Sequence, residues 1–242
     1  MKNVLEIKNL SKAFGAVVVA DELSFSLSEG EALGVIGPNG AGKTSVFNLI
    51  TGTLRQDFGY ILFEGNNIEN EHPSKRCHKG LCRSFQIPQP FGGLSVFENT
   101  FVAATQGAQL NTLKANSICI EILEQTGLIS KANDLASSLT LLERKRLELA
   151  RSLSAKPKVL LLDEIAGGLT ENECLSLVKT INEIKKSGVS IIWIEHIVHA
   201  LLSVVDRLIV INFGKKIADG NPIETMKSRK VREIYIGIEA DA

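Results

Sequence analysis

Gly37-Pro38-Asn39-Gly40-Ala41-Gly42-Lys43-Thr44 fits the pattern G-x-x-x-x-G-K-[ST] at every position and follows the apolar run Leu33-Gly34-Val35-Ile36. A short buried strand before the motif and a helix over residues 45–51 after it give strand, loop and helix in order. Phosphate oxygens are held by converging backbone N–H groups, so the loop's side chains must be small, as Gly40, Ala41 and Gly42 are. A helix opening near Lys43 turns the positive end of its dipole toward the anion. Lys43 is then placed to neutralise the β- and γ-phosphates of ATP, and the Thr44 hydroxyl to ligate Mg²⁺.

Val159-Leu160-Leu161-Leu162-Asp163-Glu164 supplies a second half to that site. Four apolar residues bury a strand, and two acids emerge at its C-terminal end, where open α/β sheets bind ligands. Acids at a strand end are ordinary turn residues when alone; beside the glycine-rich loop they acquire roles. Asp163 is expected to hold Mg²⁺ through water, and Glu164 to polarise an attacking water. The strand at 189–194 runs into Glu195-His196, which sets His196 on the same sheet edge. Gln86 ends the short strand at 82–85 and is expected to contact the same metal and water.

Around these motifs strand and helix periodicities alternate. Residues 4–7, 16–19 and 60–63 read as strands, and residues 66–80 as polar and looped or weakly helical. A turn containing Pro88, Pro90, Gly92 and Gly93 leads into a helical stretch over residues 96–153. Strand and helix then alternate at 159–162, 171–186, 189–194 and 197–204, and residues 208–211 and 216–218 pair around a turn at 212–214. Such alternation predicts one α/β domain with a mostly parallel sheet covered on both faces. Its core comprises residues 1–86 and 155–242, and a helical subdomain at about residues 87–154 is inserted into it.

Lys plus Arg and Asp plus Glu each total 27, for a formal net charge of +0. The chain therefore lacks the broad positive field of a nucleic-acid binder and the basic block of a membrane-surface protein; no nucleic-acid partner is expected. The longest apolar stretch, residues 189–211, is cut by Glu195, His196, His199, Asp206 and Arg207, whereas a spanning helix needs about 20 mostly apolar residues. MKNVLEIKNL at the start contains no signal-peptide core. A cytoplasmic location is expected, with any membrane role reached through a partner. Cys77, Cys82, Cys119 and Cys174 form no C-x-x-C pair and fit reduced thiols. His72, Cys77, His78 and Cys82 are potential zinc ligands, but their spacing matches no known zinc site, and they are expected to bind no metal.

Together these stretches resemble the nucleotide-binding subunit of ABC transporters over nearly the whole chain. The likeness rests on the P-loop at 37–44, a Q-loop glutamine at Gln86, the Walker B acids Asp163 and Glu164, a switch histidine at His196, and LTLLERKRLELARSL at 139–153 where the signature segment and its helix fall. It implies the ABC ATPase fold, with an N-terminal antiparallel β region beside the parallel core. It implies ATP contacts from Gly37, Pro38, Asn39, Gly40, Ala41, Gly42, Lys43, Thr44 and Ser45. Phe14 would stack on adenine where the family usually has Tyr. Catalysis would fall to Glu164, His196, Gln86 and Lys43, and Mg²⁺ to Thr44, Gln86 and Asp163. The family works as a head-to-tail dimer in which one chain's P-loop faces the other's signature segment, so Thr140 and Leu142 would act in trans.

RSFQIPQPFGGLSVFENTFVA at 83–103, DEIAGGLTENE at 163–173 and VREIYIG at 231–237 are similar to the ATP-binding subunits of branched-chain amino acid importers; relatives serving urea and other amides share them. That resemblance implies integral membrane permease subunits and a second ATPase subunit, identical or different. It also implies, indirectly, a periplasmic or extracellular solute-binding protein, and a peripheral position on the cytoplasmic face of the membrane. A permease helix would sit near Gln86, with Phe91, Leu94, Val96 and Phe97 close by.

The signature departs from the usual Leu-Ser-Gly-Gly-Gln: here it reads Leu139-Thr140-Leu141-Leu142-Glu143. Thr140 keeps a hydroxyl for a γ-phosphate, but leucines replace both glycines and oppose close backbone approach. Glu143 adds negative charge, Thr170 replaces the D-loop Asp or Asn, and Ile165 replaces a common Pro. Either a different protein completes the site, giving a heterodimer with unequal halves, or the segment has drifted and still closes; the heterodimer is the expectation. The alternative function is a non-transport ABC ATPase of DNA repair or translation, but no second ATPase domain, zinc module or coiled-coil insert is visible. A GTPase would carry N-K-x-D, which Asn3, Asn182 and Asn212 do not begin. A kinase would need neither the signature segment nor His196.

Overall fold

The computed structural model describes residues 2–236. The chain opens with β1 (Asn3–Phe14) and β2 (Val17–Ser28), then passes through β3 (Ala32–Ile36) into α1 (Lys43–Thr51). Next come β4 (Phe58–Phe63), β5 (Asn66–Asn67), α2 (Pro73–His78) and β6 (Leu81–Ser84). Helices α3 (Val96–Val102), α4 (Thr112–Gln125) and α5 (Leu141–Ser154) follow. They are succeeded by β7 (Val159–Asp163), α6 (Glu171–Lys186), β8 (Ser190–Ile194) and α7 (Val198–Leu202). β9 (Arg207–Asn212), β10 (Lys215–Gly220), α8 (Pro222–Lys227) and α9 (Arg229–Ile236) complete the described chain.

Two sheets result. One is antiparallel, in the order β2-β1-β4-β5; the other runs β10-β9-β3-β8-β7-β6, with β9, β3, β8, β7 and β6 parallel and β10 antiparallel at its edge. The parallel strands are apolar on both faces, and their two-residue period splits them between two cores. Leu161, Ile192, Ile194, Ile209 and Ile211 pack with α1 and the antiparallel sheet. Leu160, Leu162, Ile191, Trp193, Leu208 and Val210 face residues of α4, α5 and α6. Helix α1 thus lies between the two sheets, with Val46, Phe47, Leu49 and Ile50 buried against both.

The expected strands and α6 appear, with differences that have local causes. β1 and β2 run well beyond residues 4–7 and 16–19, because their half-polar remainders still pair as an antiparallel ribbon, with register shifts along its length. The stretch at 66–80 contains α2, which Pro73 opens and the His72 side chain caps through Ser74 N–H. The stretch at 96–153 is broken: α3 runs into a π turn at Ala103–Gly107, and loops separate α4 from α5. Helices α8 and α9 were not anticipated; Val231 of the VREIYIG segment is buried, while Gly237 lies outside the described residues. Val96 belongs to the core and not to a surface groove, whereas Phe91 is exposed with Arg151 Cζ 5.1 Å from its ring centroid.

One buried cation fixes the far end of α1. Arg76 is 2% exposed and donates from Nη1 to the carbonyls of Leu49 (2.9 Å) and Ile50 (2.8 Å), with Nη2 on Glu69 O and Nε on Glu71 O. The Leu49 and Ile50 carbonyls belong to the last turn of α1, whose C=O groups lack intrahelical partners at the negative end of the helix dipole. Arg76→Ala removes a donor from four carbonyls at once, of which Leu49 O keeps the Gly52 N–H, and is expected to cost about 3 kcal/mol in urea unfolding. A loss below about 0.5 kcal/mol would mean that water replaces the guanidinium without penalty.

Candidate functional site

Strand register brings the sequence motifs to one edge. Val35 and Asp163 both pair with Ile194, and Ser84 pairs with Leu162, so β3, β6, β7 and β8 end side by side. The loop at 37–42, Gln86, Asp163 with Glu164, and Glu195 with His196 therefore leave the same side of the sheet.

The loop's glycines are required by contact and by dihedral angle. Gly42 has φ 101°, and a Cβ there would lie 2.1 Å from Val19 O; a Cβ on Gly37 would lie 2.0 Å from Ile211 O. Gly42 starts α1 with no side-chain cap and no acid in the first turn. By contrast α4, α5 and α6 are capped by Asn111, Thr140 and Thr170. The uncapped N–H groups of α1 are donors for an anion. Lys43, 6% exposed, donates from Nζ to Gly37 O (2.8 Å) and Pro38 O (3.0 Å). Burial lowers its proton affinity, while the carboxylates of Glu164 and Asp163 push the other way. Thr44 is exposed beside it.

Glu164 is the hub of the opposite wall. Gln86 Nε2 donates to its Oε2 at 2.5 Å, and His196 Nε2 lies 2.6 Å from its Oε1. Its backbone has φ 46°, a left-handed conformation that a side-chain-bearing residue adopts at a cost. Asp163 is 2% exposed; burial raises its pKa, and the hydrogen bond from Arg83 opposes that rise. Arg83 holds Asp163 Oδ2, while Oδ1 is buried without a hydrogen-bond partner. An orphaned carboxylate oxygen that feels the charge of Lys43 is a donor atom suited to a hard cation such as Mg²⁺.

An open cavity of about 640 Å³ is lined by Val17, Val19, Asn39 to Ser45, Gln86, Glu164 and His196; Gly37, Pro38 and Asp163 lie behind this lining. Phe14 does not line it; its ring is 52% exposed and sits 5.3 Å from Lys12 Nζ. Thr140 and Leu142 do not line it either. Thr140 caps α5 in a reciprocal box: its N–H (2.8 Å) and hydroxyl (2.9 Å) both donate to Glu143 Oε2. The Thr140 N–H bond in turn holds the Glu143 carboxyl below its usual range. The same box occurs at Ser95–Glu98 and Thr170–Glu173, so Thr-x-x-Glu at 140–143 was legible as a helix start.

Three buried charges about this edge escaped the sequence reading. Glu195, 1% exposed, accepts from Ala166 N–H (Oε2, 3.0 Å) and His196 N–H (Oε1, 3.0 Å), tying the turn after β7 to the turn after β8. Lys145 of α5, 4% exposed, reaches Gln86 O at 3.5 Å, and Glu195 and Glu164 oppose the loss of charge that burial imposes. The third is Arg83. For Glu195 and Arg83 the signal was a charge interrupting an apolar run; Lys145 lies within the charged run at 143–146 and carried no such signal.

Fold and site together define a phosphate-binding-loop nucleoside triphosphatase. Residues 20–167 match the family model described as ABC transporter. The chain is 31% identical over 249 residues to the high-affinity branched-chain amino acid transport ATP-binding protein BraF of Pseudomonas aeruginosa, covering 97% of this chain and 98% of that one. It is 30% identical over 235 residues to the lipopolysaccharide export system ATP-binding protein LptB of Haemophilus influenzae, covering 97% and 98%. A nucleotide-free ATP-binding cassette from an ABC transporter superposes with TM-score 0.88 at 30% identity, covering 98% of this chain and 100% of that one. An ATP-binding cassette of an ABC transporter in its ADP conformation gives TM-score 0.88 at 31% identity, covering 98% and 100%. The chain belongs to the ABC transporter family and is one of its ATP-binding, ATP-hydrolysing cassettes. Among the described residues no helix is long and apolar enough to cross a membrane.

Proposed function

We propose that this cassette powers a membrane importer of branched-chain or other hydrophobic amino acids, or of a related small solute such as urea or an amide. The full-length likeness to branched-chain amino acid transport ATP-binding proteins supports this reading most strongly. The likeness to lipopolysaccharide export proteins at 30% identity favours a second reading, in which the same motor drives an exporter.

In the proposed chemistry, ATP lies along the loop at 37–44 with Ser45 behind it, and Phe14 stacks on adenine. Lys43 turns from the carbonyls of Gly37 and Pro38 to the β- and γ-phosphates. Thr44, Asp163 Oδ1 and Gln86 would hold Mg²⁺, and the ion would supply positive charge to the phosphates. Glu164 takes a proton from the attacking water, and His196 and Gln86 orient its carboxylate. ADP and phosphate leave.

Integral permease subunits are the proposed membrane partners, with a solute-binding protein acting indirectly and the cassette on the cytoplasmic face. Residues 87–154 act as a helical subdomain on a core of residues 1–86 and 155–242. A second, non-identical cassette faces this one head to tail, with Thr140 and Leu142 approaching its nucleotide. The pair Leu141–Leu142 opens α5 where small residues would admit a phosphate, and Leu141 is 48% exposed. This chain's P-loop half is therefore the stronger contribution to hydrolysis.

Affinity purification from membranes, followed by reconstitution in liposomes, tests the reading. A copurifying permease and ATP-dependent uptake of labelled leucine or urea are expected. Copurification with a lipid-extracting permease and no solute uptake would favour the exporter; recovery with nucleic acid or ribosomes alone would overturn both.

A further inference from the structure

Arg83 sits where three nucleotide-bearing elements meet. From β6 its Nη2 donates to Asp163 Oδ2 of β7 at 2.5 Å, and its Nη1 donates to Asn48 Oδ1 of α1 at 2.6 Å. Phe47 and Phe85 flank the guanidinium, with ring centroids 5.5 and 5.2 Å from Cζ. The side chains of Arg83 and Asp163 are 7% and 2% exposed. Water therefore has little access to compete for the pair, and a buried ion pair with fixed geometry orients its members. The planar guanidinium holds one carboxylate oxygen and leaves the other, Asp163 Oδ1, buried and unpartnered.

We propose that Arg83 is a positioning residue for the metal carboxylate: by occupying Asp163 Oδ2 and anchoring on Asn48, it presents Oδ1 to Mg²⁺ and fixes that oxygen relative to the P-loop helix. Phe85 follows two residues later in the segment that delivers Gln86, so the same clamp ties the glutamine's strand to the metal acid. A lysine at 83 would supply charge without the two-pronged geometry, and a glutamine would supply neither the charge nor the full reach. The inference rests on the reading of Asp163 as a Mg²⁺ ligand.

The test uses the full chain with Arg83→Gln, Arg83→Lys and Asp163→Asn. Mn²⁺ binding to the ADP-loaded protein is read by electron paramagnetic resonance, and a fluorescent ATP analogue is titrated in EDTA. Arg83→Gln is expected to weaken Mn²⁺ binding by about tenfold or more, as loss of a group supporting a metal ligand does. Arg83→Lys is expected to recover part of that loss, and metal-free nucleotide affinity to stay within about twofold. Unchanged Mn²⁺ affinity in folded Arg83→Gln, with Asp163→Asn impaired, would overturn the role of Arg83 alone. Unchanged affinity in Asp163→Asn would remove the metal reading and the inference with it. A proportional fall of metal-free nucleotide binding would mark Arg83 as merely structural and overturn the proposal. If Arg83→Gln does not fold, Arg83→Lys decides on the same readouts.

Discussion

Glu164→Gln is expected to retain ATP and to hydrolyse it at least about 100-fold more slowly, the scale of losing a positioned general base. The carboxylate is placed for that role by two contacts, Gln86 at 2.5 Å and His196 at 2.6 Å. An amide keeps the side chain's size and can still bond to either neighbour, but it does not accept a proton at neutral pH. Nothing in the change touches the loop at 37–44, so binding should survive. Single-turnover hydrolysis measured beside ATP binding separates the two effects. Turnover within about threefold of the unaltered protein would remove Glu164 from the role of base.

Lys43→Ala is the second large effect, and it acts on binding. The ammonium is buried against two loop carbonyls and feels both Glu164 and Asp163. Its departure removes the charge that faces the phosphates, a loss of about 3 kcal/mol or roughly 100-fold in nucleotide affinity. The cation gives back some desolvation cost when removed, so melting temperature without nucleotide should change little. Nucleotide-induced stabilisation, by contrast, should nearly vanish. A thermal scan with and without ATP reads both quantities. Equal stabilisation of the variant and the unaltered protein would show that the helix dipole and loop amides suffice.

How far the sequence revealed this arrangement depended on the range of each interaction. The loop at 37–44, the acids ending β7 and the span of α6 were legible because each is a local pattern: a turn, a strand end, a helical period. Arg83 and Asp163 are 80 residues apart and meet only because β6 pairs beside β7. Arg76 likewise reaches α1 across 26 and 27 residues. Such contacts follow from sheet order in the first case and helix packing in the second, neither of which periodicity specifies. The signature segment shows the opposite case. Leu139 to Glu143 depart from the family pattern, while a simpler local signal, the Thr-x-x-Glu box, fixes how the helix begins. The Thr140 hydroxyl is bonded to Glu143 within its own helix, and Leu141 and Leu142 extend apolar surface from the first turn. Both features fit a half-site that contributes more to dimer packing than to phosphate chemistry.

The proposal stands on a P-loop half-site completed by a different partner. The most direct measurement is the steady-state ATPase rate of the isolated chain against that of the membrane complex purified through it, at equal cassette concentration. A low rate alone, rising at least about tenfold in the complex and lost in the complex carrying Glu164→Gln, is the expected result. Equal, full turnover by the isolated chain, or a complex rate insensitive to Glu164→Gln, would contradict it.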